Sequence, residues 1–181
     1  MSWTTPLTAV SNAALTAAQW NASVRDNLLE TAVAKATTAG RLFVTTGANQ
    51  LAERIPGYVF TGGLETTAST TYTDLTTVGP QITATSGTRA IVAITSDIWN
   101  TANSYSFAST EVSGASTVAA VDAAALIQRV VTGGDANTGV RTSVTIMFSG
   151  LNAGSNTFTM KYRTTAGIAK YTNRNLLVLP L

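Results

Sequence analysis

Asp26 and Glu30 stand four residues apart in TAAQWNASVRDNLLET, the spacing that sets two carboxylates one helical turn from each other. A carboxylate pair is one of the few catalytic devices open to this chain. It has no histidine and no cysteine, so the commonest general bases, thiol nucleophiles and zinc ligands are absent. What remains is paired carboxyls, Ser or Thr with Lys, or an oxygen-ligated metal. Glycosidase-like work requires two carboxyls flanking a bond across a cleft. Asp26 and Glu30 share a helix face instead, and a solvated face accounts for them more simply. The nine Asp and Glu residues are otherwise spread along the chain. No catalytic, metal-binding or cofactor-binding residue is assigned.

Other motifs have plainer explanations. GGDANTG, residues 133–139, places Asp135, Asn137 and Gly139 at alternate positions like an oxygen-rich calcium loop, but it lacks the distal bidentate glutamate. A hairpin turn needs the same Gly and Asn. GLNAGSN, residues 150–156, reads as a strand connection. Asn21-Ala22-Ser23 matches a glycosylation sequon yet falls inside an expected helix. Tyr72, Trp99, Tyr105, Phe107, Tyr162 and Tyr171 are numerous enough for a sugar-binding platform, although strand aromatics ordinarily pack in a core or across strands.

Composition narrows the partners. A formal charge of +2 with only 11% charged residues gives no basic patch for a phosphate backbone, which argues against nucleic acid. The start of the chain lacks the basic and apolar regions of a secretory signal. No window approaches the roughly 18 apolar residues of a membrane span, so no membrane partner is expected. The 33 threonines and 28 alanines, beside few Lys and Glu, favour pleated, half-buried surfaces. The chain is expected to be mainly β.

These residues need elements to position them. Thr16 is a candidate N-cap with Gln19 at the capping-box spacing, and Leu15 and Trp20 have the spacing of a hydrophobic staple. A helix over about 17–30 follows. Trp20, Val24 and Leu28 recur every four residues on one face, with Arg25, Asp26 and Glu30 largely off it. Residues 1–57 then read as an extended N-terminal arm with one α-helix and two short apolar runs, 42–44 and 51–55. Its small apolar content cannot offset an ordering cost of about 1–2 kcal/mol per residue, so the arm requires a partner.

Residues 58–181 alternate strand-length runs with glycine-marked turns. The expected strands are 58–61, 71–78, 81–85, 89–99, 104–112, 126–132, 140–149, 156–164 and 174–179. Their number and spacing predict a jelly-roll-like antiparallel β-sandwich. Residues 114–131 suit either a helix or, as favoured here, a loop followed by a strand. Strand 89–99 is apolar on both faces. So is LLVLPL near the end of the chain, which calls for cover from the arm or from a neighbouring copy.

The segment LTAAQWNASVRDNLLET, with the AKATTAGRLFVTTGANQLAER that follows, resembles the leading segment of many structural proteins of tailed bacteriophages. There a helix of this kind opens into a short glycine-rich, strand-bearing lead to a distal domain. The match covers about residues 3–57 and centres on Trp20-Asn21 and Val24-Arg25-Asp26-Asn27-Leu28. Residues 149–181 are similar in pattern to the closing strands of trimeric jelly rolls on phage fibres and decorations, themselves akin in shape to tumour-necrosis-factor-like folds. The resemblance implies a homotrimeric virion surface protein, made in the host cytoplasm, whose arm binds the major capsid protein or tail proteins. Trp20, Val24, Arg25 and Leu28 would be the attachment residues, and Leu176, Leu177, Val178 and Leu179 the trimer interface. A host surface glycan or protein is a further partner if the outer loops recognise one. The sequence shows no collagen-like or coiled-coil shaft and is short for a receptor-binding tail fibre. Capsid decoration or a head fibre is therefore favoured, with a tail fibre as the alternative.

Overall fold

The computed structural model describes residues 4–8, 10–130 and 139–181. The chain divides into two units, Met1–Ile55 and Pro56–Leu181.

In the first unit Thr16 caps the helix by the expected device. Its hydroxyl accepts the Gln19 N–H at 3.2 Å and Gln19 Oε1 accepts the Thr16 N–H at 3.0 Å, which satisfies two otherwise orphaned donors. Helix α1 (Ala17–Trp20) passes through a π-helical segment, Asn21–Arg25, into α2 (Asp26–Leu28). The helix thus stops short of residue 30. The N–H groups of Glu30 and Thr31 turn to the carbonyls of Asn27 and Leu28, the i→i+3 pattern that closes a helix end. A second short helix, α3 (Ala32–Lys35), follows where one helix was expected. Glu30 corrects the solvated-face expectation: it is buried and ion-paired with Lys35 at 2.9 Å. The two apolar runs form an antiparallel hairpin, β1 (Leu42–Gly47) and β2 (Gln50–Arg54), turning through Asn49 at φ +58°. Glu53 closes its base, accepting from the Thr37 hydroxyl and N–H and from Arg41.

The second unit is mainly antiparallel β. Its strands are β3 (Gly57–Thr61), β4 (Glu65–Thr67), β5 (Gln81–Ser86), β6 (Arg89–Asn100), β7 (Tyr105–Gly114), β8 (Leu126–Arg129), β9 (Val140–Ser149), β10 (Gly154–Thr164) and β11 (Ala169–Pro180). One sheet has the order β5-β10-β7-β8 and the other β3-β11-β6-β9, with β4 continuing beside β11. Eight strands that alternate between two sheets except where β7 and β8 pair in the same one, in this order, make a jelly roll. Alternation decides which side chains enter the core. Phe158, Met160 and Tyr162 from β10 face Val92, Ile94 and Ile98 from β6 and Tyr171, Leu176 and Val178 from β11, all fully buried. The Phe148 and Phe158 rings meet edge to face at 6.1 Å, and the Tyr171 hydroxyl donates to the Phe107 carbonyl at 2.8 Å.

Three segments depart from the sequence expectation. Residues 71–78 are not a strand; they make a single bridge, Thr73 to Tyr162, as the chain crosses from one sheet to the other. Gly79 at φ +85° and Pro80, which has no N–H, delay the ladder until Gln81. Glu65–Thr67 pairs with β11 although three polar residues carry no periodic signal. The last strand begins at Ala169, and a bulge between Thr172 and Asn175, with Asn173 at φ +49°, turns Arg174 inward. Residues 114–131 contain no α-helix among the described ones: a 3-10 turn, Asp122–Ala124, leads into β8. Residues 133–138 of the GGDANTG loop and 131–132 of the expected strand 126–132 lie outside the described residues.

A buried asparagine locks one end of the sandwich. Asn100 Nδ2 donates to Ser106 Oγ, Thr164 Oγ1 and the Ala166 carbonyl, and its Oδ1 accepts the Ala102 N–H at 2.9 Å. Asn100→Ala leaves the Ala102 N–H without its acceptor and takes a donor from Ser106, Thr164 and Ala166, which keep other bonds, and is expected to cost about 1–3 kcal/mol. An unchanged midpoint in urea denaturation would contradict that role.

Candidate functional site

Two surfaces have the chemistry of a binding site. The first is on the arm. Asn27 is buried there because its side chain holds the leading segment against the helix: Oδ1 accepts the Thr4 N–H at 2.9 Å, and Nδ2 donates to the Thr4 and Ser23 carbonyls at 3.0 Å. Ser23 Oγ accepts the Leu7 N–H at 3.1 Å. Among the described residues of this unit, only Asn27 and Glu30 are buried, and both are polar. Among those described residues there is no apolar core. Its apolar side chains instead line its exterior: Trp20 is 55% and Leu28 60% exposed, with Leu15 and Leu29 exposed beside them and Val24 half-buried. Steps of four overshoot an α-helical turn, but the π segment winds more residues into each turn and offsets that drift. Arg25 is exposed and bonded to neighbouring Asp26 at 2.8 Å, which places a neutralised charge pair beside the apolar row.

The second surface is the outer face of the β3-β11-β6-β9 sheet. Of the four residues expected at a trimer interface, Leu176 and Val178 are fully buried inside the chain and cannot contact a neighbour. The period of two sends only Leu177 and Leu179 outward. They belong to apolar rows that the sequence expectation missed. Pairing sets Leu179, Ile91 and Met147 in one row and Tyr58, Leu177, Ala93 and Thr145 in the next. The row after that, Phe60, Asn175, Thr95 and Ser143, is mixed, and Asp97 beyond it bonds Asn173 and pairs with Arg141 at 3.5 Å. Half of the face is thus apolar and half polar. Only register could reveal this, since the residues come from four separated segments.

The aromatic platform does not assemble. Tyr162 and Tyr171 are in the core, and Phe107 is buried beneath the Arg163 guanidinium, which lies 3.9 Å from its ring. Arg163 is in turn held by both oxygens of Asp122, which also accepts the Tyr72 hydroxyl. The arginine beside it holds the Asp122 carboxyl below its ordinary value, against the opposing effect of burial. Arg129 lies over Tyr105, and Lys170 over Trp99. Asp74 and Glu111 converge, but on Lys161 between them, at 2.7 and 3.4 Å. No group of three or more candidate ligands able to hold a metal occurs among the described residues.

No family model matches the chain, and neither does any curated protein. Among solved structures, it is similar to Eiger TNF from S. frugiperda, with 12% identity over 71% of this chain and 92% of that one and a TM-score of 0.49. It is also similar to a family 35 carbohydrate binding module from an environmental isolate, with 17% identity over 81% and 95% and a TM-score of 0.34. The jelly-roll assignment rests on strand order and register, not on either likeness.

Proposed function

We propose that this chain is a structural, non-enzymatic protein of a tailed-phage virion: a homotrimer that decorates the capsid, with the arm docked on the particle and the sandwich outward. The observation that carries this is the arm's construction. Its helix is specified locally by a complete capping box, yet the unit buries no apolar side chain among its described residues and presents Trp20 and Leu28 to the outside. A segment so specified and so exposed has its stabilising partner elsewhere. The sandwich, by contrast, has a full core, and apolar residues are left over on one outer face.

The test compares particles with and without the protein. A decoration's loss is expected to lower the temperature at which particles release their genome while host adsorption stays near normal. Immunogold labelling of the complete particle is expected to mark the shell. Labelling confined to the tail, with adsorption lost and particle stability unchanged, would replace this proposal with a receptor-binding fibre.

A further inference from the structure

The outer face of the β3-β11-β6-β9 sheet is asymmetric in two directions. Along the strands it is apolar toward the end where the chain enters the sandwich at Pro56, since Gly57 pairs with Val178, and polar toward the other end. Across the strands its exposed bulk lies at the two opposite edges. Met147 on edge strand β9 is 55% exposed, and Tyr58 and Phe60 on edge strand β3 are 65% and 53% exposed, while Ile91, Leu177 and Leu179 between them are half-buried.

Resting on the trimer reading above, we infer that Met147 of one copy packs against Tyr58 and Phe60 of the next, so that copies join edge to opposite edge. A thioether against aromatic rings is a favourable contact, and neither partner is charged. The two apolar rows carry no ionisable group except Tyr58, whose hydroxyl already donates to Asn175 Oδ1 at 2.7 Å. Joining two copies there desolvates no charge, as the depleted core of an interface requires. A phosphate backbone would find no cation in these rows, and a sugar only the Thr145 hydroxyl. Because the contacting patches differ, the interface is heterologous, and a heterologous contact whose rotation closes after three copies makes a trimeric ring rather than a two-fold dimer. Copies meet by their apolar halves, so the ring is tightest where each chain enters its sandwich. The points where the chains enter their sandwiches, at Pro56, are thereby close together.

Three full-length variants test this by light scattering. The wild type is expected at three times the 18.7 kDa chain mass. Met147→Glu and Phe60→Lys are each expected to scatter as monomers while keeping a cooperative melt. The double variant Met147→Glu/Phe60→Lys is expected to recover the trimer, because the new carboxylate then meets the new ammonium of the adjacent copy. The chain has no cysteine, so a second readout is clean. Met147→Cys/Phe60→Cys is expected to give a covalent trimer on oxidation, and either single cysteine none. If both charge variants keep the trimer mass and the paired cysteines do not cross-link, this edge contact is wrong although the trimer stands. A wild-type monomer at the same concentration overturns the trimer reading itself, and the contact with it.

Discussion

Glu65→Ala is expected to destabilise the sandwich by about 3–5 kcal/mol, because it leaves a guanidinium buried without a carboxylate. Arg174 is fully buried between the sheets. Its Nη2 donates to Glu65 Oε1 at 3.0 Å, and its guanidinium carbon lies 5.6 Å from the centre of the Tyr162 ring. Glu65 also accepts the Thr77 N–H at 3.0 Å, so this one carboxylate ties the irregular crossing segment to both β4 and the core. Arg174→Met is the informative contrast. Removing the charge with the partner site, and filling much of the same volume with an apolar chain, is expected to cost less, since a buried ion pair often roughly breaks even against a hydrophobic replacement. Urea denaturation of both variants decides it, and equal losses would mean that the unpaired charge does not set the cost of Glu65→Ala.

The same pair sets an acid limit. Burial alone would raise the Glu65 pKa, but hydrogen bonds from Thr77 and the adjacent Arg174 outweigh it and hold the carboxyl below its ordinary 4.5. A depressed acid contributes stability that is complete above its ordinary value and lost as pH falls through the lower folded value. Wild-type stability is therefore expected to decline below about pH 4.5. Glu65→Gln, already lacking the charge, is expected to decline less steeply over the same range.

On the proposed attachment through the arm, Trp20→Ala is expected to abolish retention on the particle while leaving the free protein's melt unchanged. An aromatic anchor in a protein contact is commonly worth about 2 kcal/mol or more, close to a 30-fold change in affinity for each arm. In the proposed trimer the arms would bind with avidity, so a loss at each arm would compound across those engaged together. Folding of the free chain should not register the change, because Trp20 is largely exposed in it and substitutions at such sites usually stay within about 0.5 kcal/mol. Occupancy on purified particles, read by quantitative gel densitometry, gives the answer. Normal occupancy of the variant would remove Trp20 from the attachment surface. Arg25→Ala is expected to matter less, since its charge is already met by Asp26 within the free chain.

Much of the fold was legible in one dimension. Strand 140–149 matches the expected bounds, and 81–85, 89–99, 104–112 and 156–164 differ by a few residues at their ends, because alternation and glycine-marked turns are local properties. The capping box at Thr16 was likewise contained in four residues. The failures share a cause. Residues 71–78 have strand-like composition, but the neighbouring strand β10 accepts only Thr73 there. Glu65–Thr67 has no pattern of its own and pairs because β11 passes beside it. LLVLPL is apolar throughout, yet its role on the two faces differs completely, with Leu176 and Val178 in the core and Leu177 and Leu179 outside.

The amino-acid sequence by itself determined the β class, the division into arm and sandwich-forming stretch, the helix start and the absence of histidine and cysteine chemistry. Each depends on composition or on residues a few positions apart, where propensity, capping and periodicity act. Only the tertiary structure decided that Arg174 is an interior charge, that Glu30 is buried, that the aromatics do not form a platform, and that Met147, Tyr58 and Phe60 share a sheet face. Those outcomes depend on register and on a bulge that re-phases β11, which are set by pairing between strands far apart in the chain, such as Gly57 with Val178. Local chemistry wrote the elements, and long-range pairing chose which of their faces remained outside.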